Sequence, residues 1–139
     1  MSRSGAPDPR AALVRVPRAL LGTSVVVLAV AAVVNHGAAR AGTPDLEAVS
    51  WIAVAWSALA PIVATVVRGQ GLVAPPPSQD ETPSQVVVRL QKTIVFFGVL
   101  DSGVVFAAAA LIVSPLLWPL AAALFPLAVM ALNLPSRAD

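Results

Sequence analysis

The chain has 139 residues, of which 58% are apolar and only 12% are charged. Soluble domains contain about 45–50% apolar and about 25% charged residues. Too few polar groups are present to cover a water-exposed surface, so we expect a protein that is largely surrounded by lipid. The chain has no cysteine and one histidine, which excludes disulfides, thiolate metal sites and multi-histidine metal sites.

The formal net charge of +2 could suggest nucleic acid as a partner. The basic residues form no stripe with interleaved aromatic residues, however, so we expect no nucleic-acid partner. The charges are better interpreted as a signal of membrane topology. The preference for arginine over lysine, together with abundant alanine and valine, is typical of a bacterial protein from a GC-rich genome.

The first segment, residues 1–16, is polar, basic and proline-bearing, and predicts a mostly disordered cytoplasmic tail. Part of Ala11 to Val16 can alternatively form a helix along the membrane surface. Residues 17–35 contain no charge beyond Arg18 and are apolar all round, which is typical of a helix in lipid. An alternative for this run is a cleaved secretory signal peptide. Arg15 and Arg18 would then be its basic region, and Ala38 to Ala41 would be a poor cleavage site.

Residues 48–67 predict the second membrane span, with Trp51 near its start, where aromatic belts lie. Pro61 falls inside this span, which membrane helices tolerate when neighbouring groups satisfy the freed carbonyl. Residues 68–92 follow as a cytoplasmic linker. Three consecutive prolines exclude regular structure in the first half of the linker. In its second half, Gln85 to Leu90 can already be helical, with Thr82 or Ser84 as the cap.

Residues 93–113 and 116–134 predict the third and fourth spans. Only Ser114 and Pro115 lie between them, so the two helices should form a tight antiparallel hairpin. The sequence therefore predicts an all-α polytopic membrane domain over residues 17–134, with four transmembrane helices arranged as two antiparallel hairpins.

The lysine and arginine residues alternate between segments in the manner of the positive-inside rule. The segments assigned to the cytoplasm, including the tail 135–139, contain Arg3, Arg10, Arg15, Arg18, Arg68, Arg89, Lys92 and Arg137. Arg40 is the only lysine or arginine of the first external loop, and the second external loop contains neither. We therefore expect a multi-pass protein of the plasma membrane with both termini inside the cell.

Apart from Arg18 at the edge of the first span, Asp101 is the only ionisable residue inside a predicted span. It lies about 12 Å into the third helix at about 1.5 Å per residue. An ionised carboxylate there costs about 2.5 kcal/mol or more, so we expect it to be protonated or partnered. One interpretation is a proton or cation carrier. The alternative is a structural hydrogen bond to another helix, for example to Ser57 or Thr65.

Small residues are spaced for close helix packing on the second and third spans. They are Ala53, Ser57, Pro61 and Thr65 on the second span, and Gly98, Ser102, Gly103 and Ala107 on the third. Small side chains allow the backbones of two helices to approach closely in lipid. We therefore expect the second and third helices to pack directly against each other.

The stretch from Ile94 to Ile112 places Asp101 among small residues that include Gly98, Ser102 and Gly103. It resembles the carboxylate helix of the proteolipid c subunit of rotary ATPases. In that family, one Asp or Glu lies mid-membrane, and a polar cytoplasmic loop joins the two helices of a hairpin. The resemblance implies that Asp101 is a proton-carrying position and that the second and third spans form the hairpin.

No glycine-rich phosphate loop, metal motif or nucleophile elbow is present in the sequence. We therefore expect a protein that is not an enzyme and that uses no cofactor or metal. The lipid bilayer is its expected partner, together with further copies of itself or another membrane protein. The leading hypothesis is a small accessory or oligomer-forming subunit, and the alternative is a proton- or cation-coupled membrane protein that uses Asp101.

Overall fold

The computed structural model describes residue 5 and residues 8–37, 44–76, 78–113 and 117–135. All regular structure in these ranges is helical. The helices are α1 (Pro9–Gly37), α2 (Pro44–Arg68), α3 (Pro83–Val113) and α4 (Trp118–Leu132). The first three are long and apolar enough to cross a membrane, whereas α4 has 15 residues. The prediction of an all-α chain with four helices is confirmed.

Helix α1 begins eight residues before the predicted start of the first span, so residues 9–16 are helical. The sequence predicts a mostly disordered tail here, with a helix as an alternative only for part of residues 11–16. Local groups at the helix start explain the difference. Pro9 occupies the first helical position, where its fixed backbone angle favours a helix. The carboxylate of Asp8 accepts a hydrogen bond of 3.0 Å from the backbone N–H of Arg10, which caps the first turn.

Helix α3 begins at Pro83, so the last ten residues of the predicted linker 68–92 belong to it. A reciprocal cap starts this helix. The N–H of Gln85 donates to Oγ1 of Thr82 at 3.4 Å, and the N–H of Thr82 donates to Oε1 of Gln85 at 2.9 Å. The extension lengthens α3 to 31 residues, or about 46 Å.

Helix α4 covers 118–132 within the predicted span 116–134, and Pro119 lies in its first turn. The predicted turn at Ser114 and Pro115 lies outside the described residues, as does most of the predicted tail 135–139. The structure therefore describes the body of this helix but not its connection to α3.

Helix α3 is the centre of the bundle, because it contacts each of the other three helices and packs most extensively against α2. Helix α4 also contacts both α1 and α2. Within the described ranges, α1 and α2 do not contact each other. One side of α3 is therefore left uncovered between them.

Two clusters of buried side chains hold the helices together. The first cluster joins α1, α3 and α4 through Leu28, Ala31, Val104, Ala107, Ala108, Leu111 and Ala123. The second joins α2, α3 and α4 through Ala64, Phe96, Phe97, Leu100, Val129 and Met130. Large apolar side chains are nevertheless exposed on all four helices, for example Val33, Ile52, Phe106 and Leu124. Lipid can cover such a surface, whereas water would penalise it.

Three long-range hydrogen bonds show which helix ends lie together. A guanidinium N–H of Arg10 donates to the carbonyl of Glu81 at 3.4 Å, next to the start of α3. Arg18 donates to the carbonyl of Pro135 at 3.3 Å, just beyond the end of α4. Arg68, the last residue of α2, donates to Oδ1 of Asn133 at 2.8 Å.

The starts of α1 and α3 therefore lie at the same end of the bundle as the ends of α2 and α4. We call this the basic end. Every lysine and arginine that the structure describes lies on these terminal segments, namely Arg10, Arg15, Arg18, Arg68, Arg89 and Lys92.

Candidate functional site

Asp101 lies in the middle of α3 and is half-buried. Its Oδ1 atom accepts a short hydrogen bond from the hydroxyl of Ser24 on α1. The Ser24 side chain is fully buried. From the sequence we expected a hydrogen-bond partner on α2, for example Ser57 or Thr65. This expectation was wrong, because the hydrogen bond of Asp101 joins α3 to α1.

The geometry of α3 explains why α1 supplies the partner. Gly103 faces α2, and Asp101 is two positions earlier, which is about 200° around a helix of about 3.6 residues per turn. Asp101 consequently faces away from α2. Thr65 uses its hydroxyl within its own helix, where it donates to the carbonyl of Pro61 at 2.7 Å.

The next residue, Ser102, links α3 to α2. Its hydroxyl accepts a hydrogen bond of 3.1 Å from the indole Nε1–H of Trp56 and donates to the carbonyl of Val99 at 2.6 Å. Two consecutive polar residues of α3 thus hold the helices on either side of it. Sequence reasoning missed both partners, since Ser24 and Trp56 lie in apolar runs with no charge nearby.

The close contact between α2 and α3 is centred on Gly103. A Cβ atom at this position would lie 2.8 Å from the Cβ of Ala60 and 3.4 Å from the Cα of Ser57. Ala53, Ser57 and Pro61 are buried in the bundle. The backbones of α2 and α3 can approach this closely only because position 103 has no side chain.

This contact also encloses a hydroxyl group of α2 that has no hydrogen-bond partner among the described residues. The Oγ atom of Ser57 is buried and accepts or donates no hydrogen bond among the described residues. Pro61 has no N–H, so the carbonyl of Ser57 receives no hydrogen bond from it. The glycine on α3 therefore packs against a segment of α2 whose helical hydrogen bonding is incomplete.

Gly98 is placed differently from our expectation for an α2–α3 contact. No atom lies within 4 Å of a Cβ atom built on Gly98, which is exposed. Gly98 lies five positions before Gly103, about 140° around the helix, and therefore points in another direction. Ala107 is buried and belongs to the cluster with Leu28 and Ala123.

Gly98 belongs to the uncovered face of α3, between α1 and α2. The exposed residues of this face follow one another at helical spacings of three, four or seven positions: Gln91, Ile94, Gly98, Val105, Ala109 and Ile112. Asp101 and Ser102 lie at the two edges of the face, and both are half-buried. The carboxyl group is therefore positioned where the interior of the bundle meets an open helix surface.

A second polar site lies at the basic end, around Arg68. This residue is only 6% exposed, and its guanidinium carbon lies 3.7 Å from the centroid of the Phe96 ring. Its N–H groups donate to Oδ1 of Asn133 and to the carbonyl of Gly71. All of these partners are neutral, so the positive charge is held by a ring face and by dipoles.

Asn133 connects the end of α4 to the segment that follows α2. Its Oδ1 atom also accepts a hydrogen bond of 3.0 Å from the N–H of Ala74. Its Nδ2 atom donates to the carbonyls of Leu72 at 2.6 Å and Val129 at 2.8 Å. Sequence reasoning did not single out Asn133, because a lone asparagine after an apolar run is usually an ordinary helix stop.

The described part of the chain contains no group of three or more His, Cys, Asp or Glu residues that could hold a metal ion. Comparison with protein families, with curated proteins and with solved structures gave no match. The resemblance of the region around Asp101 to a proteolipid helix therefore stays a prediction. Any function must be argued from the residues of this chain.

Proposed function

We propose that the chain is a multi-pass protein of the bacterial plasma membrane, with its four helices arranged as two antiparallel hairpins and both termini in the cytoplasm. The lengths of α1, α2 and α3 support membrane insertion. The hydrogen bonds of Arg10, Arg18 and Arg68 support the alternating helix directions. The clustering of cations at the basic end supports the placement of this end in the cytoplasm, since basic segments are retained on the cytoplasmic side of the membrane.

We propose further that the protein is a non-enzymatic subunit that acts through helix packing, either with further copies of itself or with another membrane protein. The uncovered face of α3 carries this proposal. Gly98 and Ala109 on this face are small and have apolar neighbours at Ile94 and Val105. Such a face lets another helix approach closely, as small residues do at membrane helix contacts.

Gly98→Leu tests this proposal by adding bulk at the centre of the face. Its control is Gly22→Leu, because Gly22 on α1 is also exposed with no atom within 4 Å of a built Cβ. The readout is the number of copies per complex in liposomes, measured by single-molecule photobleaching. We expect complexes of two or more copies that Gly98→Leu dissociates and Gly22→Leu preserves.

The wild-type chain could instead be monomeric in liposomes but become cross-linked through position 98 to another protein in native membranes. That result would assign the uncovered face to a different membrane protein and not to a second copy of the chain. A chain that stays monomeric in both settings would contradict the packing function. So would association that Gly98→Leu leaves intact.

The alternative function is proton or cation coupling through Asp101. It is favoured by the half-buried position of the carboxyl group at the edge of the uncovered face, with a serine hydroxyl as donor. Carboxyl groups inside the membrane in such positions typically carry a proton or coordinate a cation.

Asp101→Asn separates the two functions, because it keeps the side-chain volume but cannot carry a proton. Proton flux into liposomes, followed with a pH-sensitive dye, is the measurement. Flux in the wild type that is lost in Asp101→Asn, with copy number unchanged, would establish coupling. Equal dye responses in the wild type and in Asp101→Asn would exclude coupling through Asp101 and support the packing function.

A further inference from the structure

A cavity of about 740 Å³ lies at the basic end, between the segment after α2, the first turns of α3 and the residues after α4. This volume falls within the range of about 300–1,000 Å³ that is typical of sites for small organic ligands. Among the described residues that line it, the charged ones are three cations and one carboxylate: Arg68, Arg89, Lys92 and Glu81. Its apolar residues include Leu13, Val88, Phe96 and Phe97.

Glu81, the one carboxylate among the described residues of the cavity, already has an ion-pair partner. Glu81 forms an ion pair with Arg89, which also lies 3.5 Å from the carbonyl of Pro75. Among the described residues, Lys92 forms no ion pair or hydrogen bond, and it is exposed. The cavity therefore carries an excess of positive charge at Lys92 and Arg68.

Arg68 is the unusual member of this set. Its side chain is buried, its Nε–H has no hydrogen-bond partner, and no carboxylate lies within ion-pair distance in the described part of the chain. Burial of a cation away from water is unfavourable unless a counter-charge compensates it. An anion in the cavity would supply that counter-charge.

We propose that this cavity binds a phosphate group, with Lys92 as the contacting cation and Arg68 providing a second positive charge from the wall. The apolar residues beside the cations fit a phosphate that carries an acyl chain. Phe96 and Phe97 lie one turn further along α3 than Lys92, toward the membrane interior. Basic pockets at the cytoplasmic ends of membrane helices are suited to lipid headgroups in this way.

The proposal rests on the membrane placement proposed above but not on the role of Asp101 or of the uncovered face. Lys92 and Asp101 are separated by about 13 Å along α3, at about 1.5 Å per residue. A loss of phosphate binding and a loss of self-association can thus be observed independently, in separate variants of the same purified protein.

The test uses the full chain in a neutral detergent and three probes: phosphatidylglycerol, phosphatidylcholine and inorganic phosphate at matched ionic strength. Bound lipid is counted by native mass spectrometry, and the thermal midpoint is followed by tryptophan fluorescence. We expect phosphatidylglycerol to remain bound and to raise the midpoint, with little effect of phosphatidylcholine. Equal stabilisation by inorganic phosphate would assign the site to a free phosphate instead of a lipid.

Lys92→Gln is the decisive variant, because Lys92 is exposed and makes no contact that folding requires. We expect it to weaken binding about fivefold, the effect of about one charge near an anionic headgroup. Arg15→Gln is the control, since Arg15 is an exposed cation of the basic end that does not line the cavity.

Arg68→Gln should abolish binding, but Lys92→Gln keeps the proposal testable if Arg68→Gln does not fold. The proposal is overturned if phosphatidylglycerol binds no better than phosphatidylcholine and inorganic phosphate has no effect. It is equally overturned if Lys92→Gln and Arg15→Gln weaken binding to the same extent.

Discussion

The hydroxyl of Ser24 on α1 donates a hydrogen bond to Oδ1 of Asp101 on α3. These two residues are far apart in the sequence, and their bond is the central polar link between the first and third helices. In lipid, no water molecule can replace a partner that is lost, so the two side chains depend on each other. The bond therefore contributes to holding α1 in the bundle.

A double-mutant cycle measures this link. We expect Ser24→Ala and Asp101→Ala to destabilise the protein individually, with a coupling energy of about 0.6–1.7 kcal/mol between them. Unfolding in mixed micelles gives the free energies. Thr23→Ala is the control, because the Thr23 hydroxyl donates a hydrogen bond to the carbonyl of Ala19 within its own helix. Coupling of Thr23 to Asp101 as large as that of Ser24 would contradict the assignment.

The contact at Gly103 can be tested by adding one methyl group. In Gly103→Ala the new Cβ would lie 2.8 Å from the Cβ of Ala60, so we expect a loss of about 1–3 kcal/mol in the free energy of unfolding. Gly98→Ala should have little effect on the monomer, since no atom lies near that position. Adding Ala60→Gly to Gly103→Ala should restore stability.

A comparable loss of stability in Gly98→Ala would show that the uncovered face of α3 is packed within the monomer. Failure of Ala60→Gly to restore the Gly103→Ala variant would place the strain elsewhere than in the α2–α3 contact.

The class of the fold and the position of Asp101 could be predicted from the sequence. Long uncharged runs identify helices in lipid because a bilayer sets their minimum length, and a lone carboxylate within such a run is conspicuous. The partner of Asp101 could not be predicted in the same way. Which face of α3 meets which helix depends on the packing of all four, and a serine such as Ser24 gives no signal within an apolar run.

The starts of α1 and α3 differ in how far they could be predicted. A cap at Thr82 or Ser84 of α3 was predicted from the sequence, whereas the Asp8 cap of α1 was not. Hydropathy locates the lipid-embedded part of each helix, but local caps determine where the helix begins. Asp8 caps α1 and Thr82 caps α3, and both lie well before the apolar runs. Both helices therefore extend past the apolar boundary, which creates the walls of the cavity at the basic end.

Asn133 should control the segment that follows α2. In Asn133→Ala, Arg68 loses an acceptor and Ala74 loses the partner of its N–H, so we expect a loss of about 1–3 kcal/mol. We also expect faster limited proteolysis between residues 69 and 82. Gln70→Ala is the control, because Gln70 is exposed. Equal cleavage rates in the two variants would argue against this role for Asn133.

The proposed orientation can be tested directly, because the chain contains no cysteine. Ser78→Cys and His36→Cys each introduce one exposed thiol, at opposite ends of the bundle. A membrane-impermeant maleimide added to intact cells should label His36→Cys and should label Ser78→Cys only after permeabilisation. The reverse pattern would invert the topology, and labelling of both would contradict a membrane-spanning bundle.

The 15 residues of α4 span about 22 Å, whereas the hydrocarbon layer of a typical bilayer is about 30 Å thick. Its neighbours α1 and α3 are about twice as long. In the proposed membrane orientation, the bilayer can adapt to this short helix by becoming thinner beside α4, at a cost of a fraction of a kcal/mol per Å of mismatch. We therefore expect the protein to favour thin regions of the bilayer over thick, ordered ones.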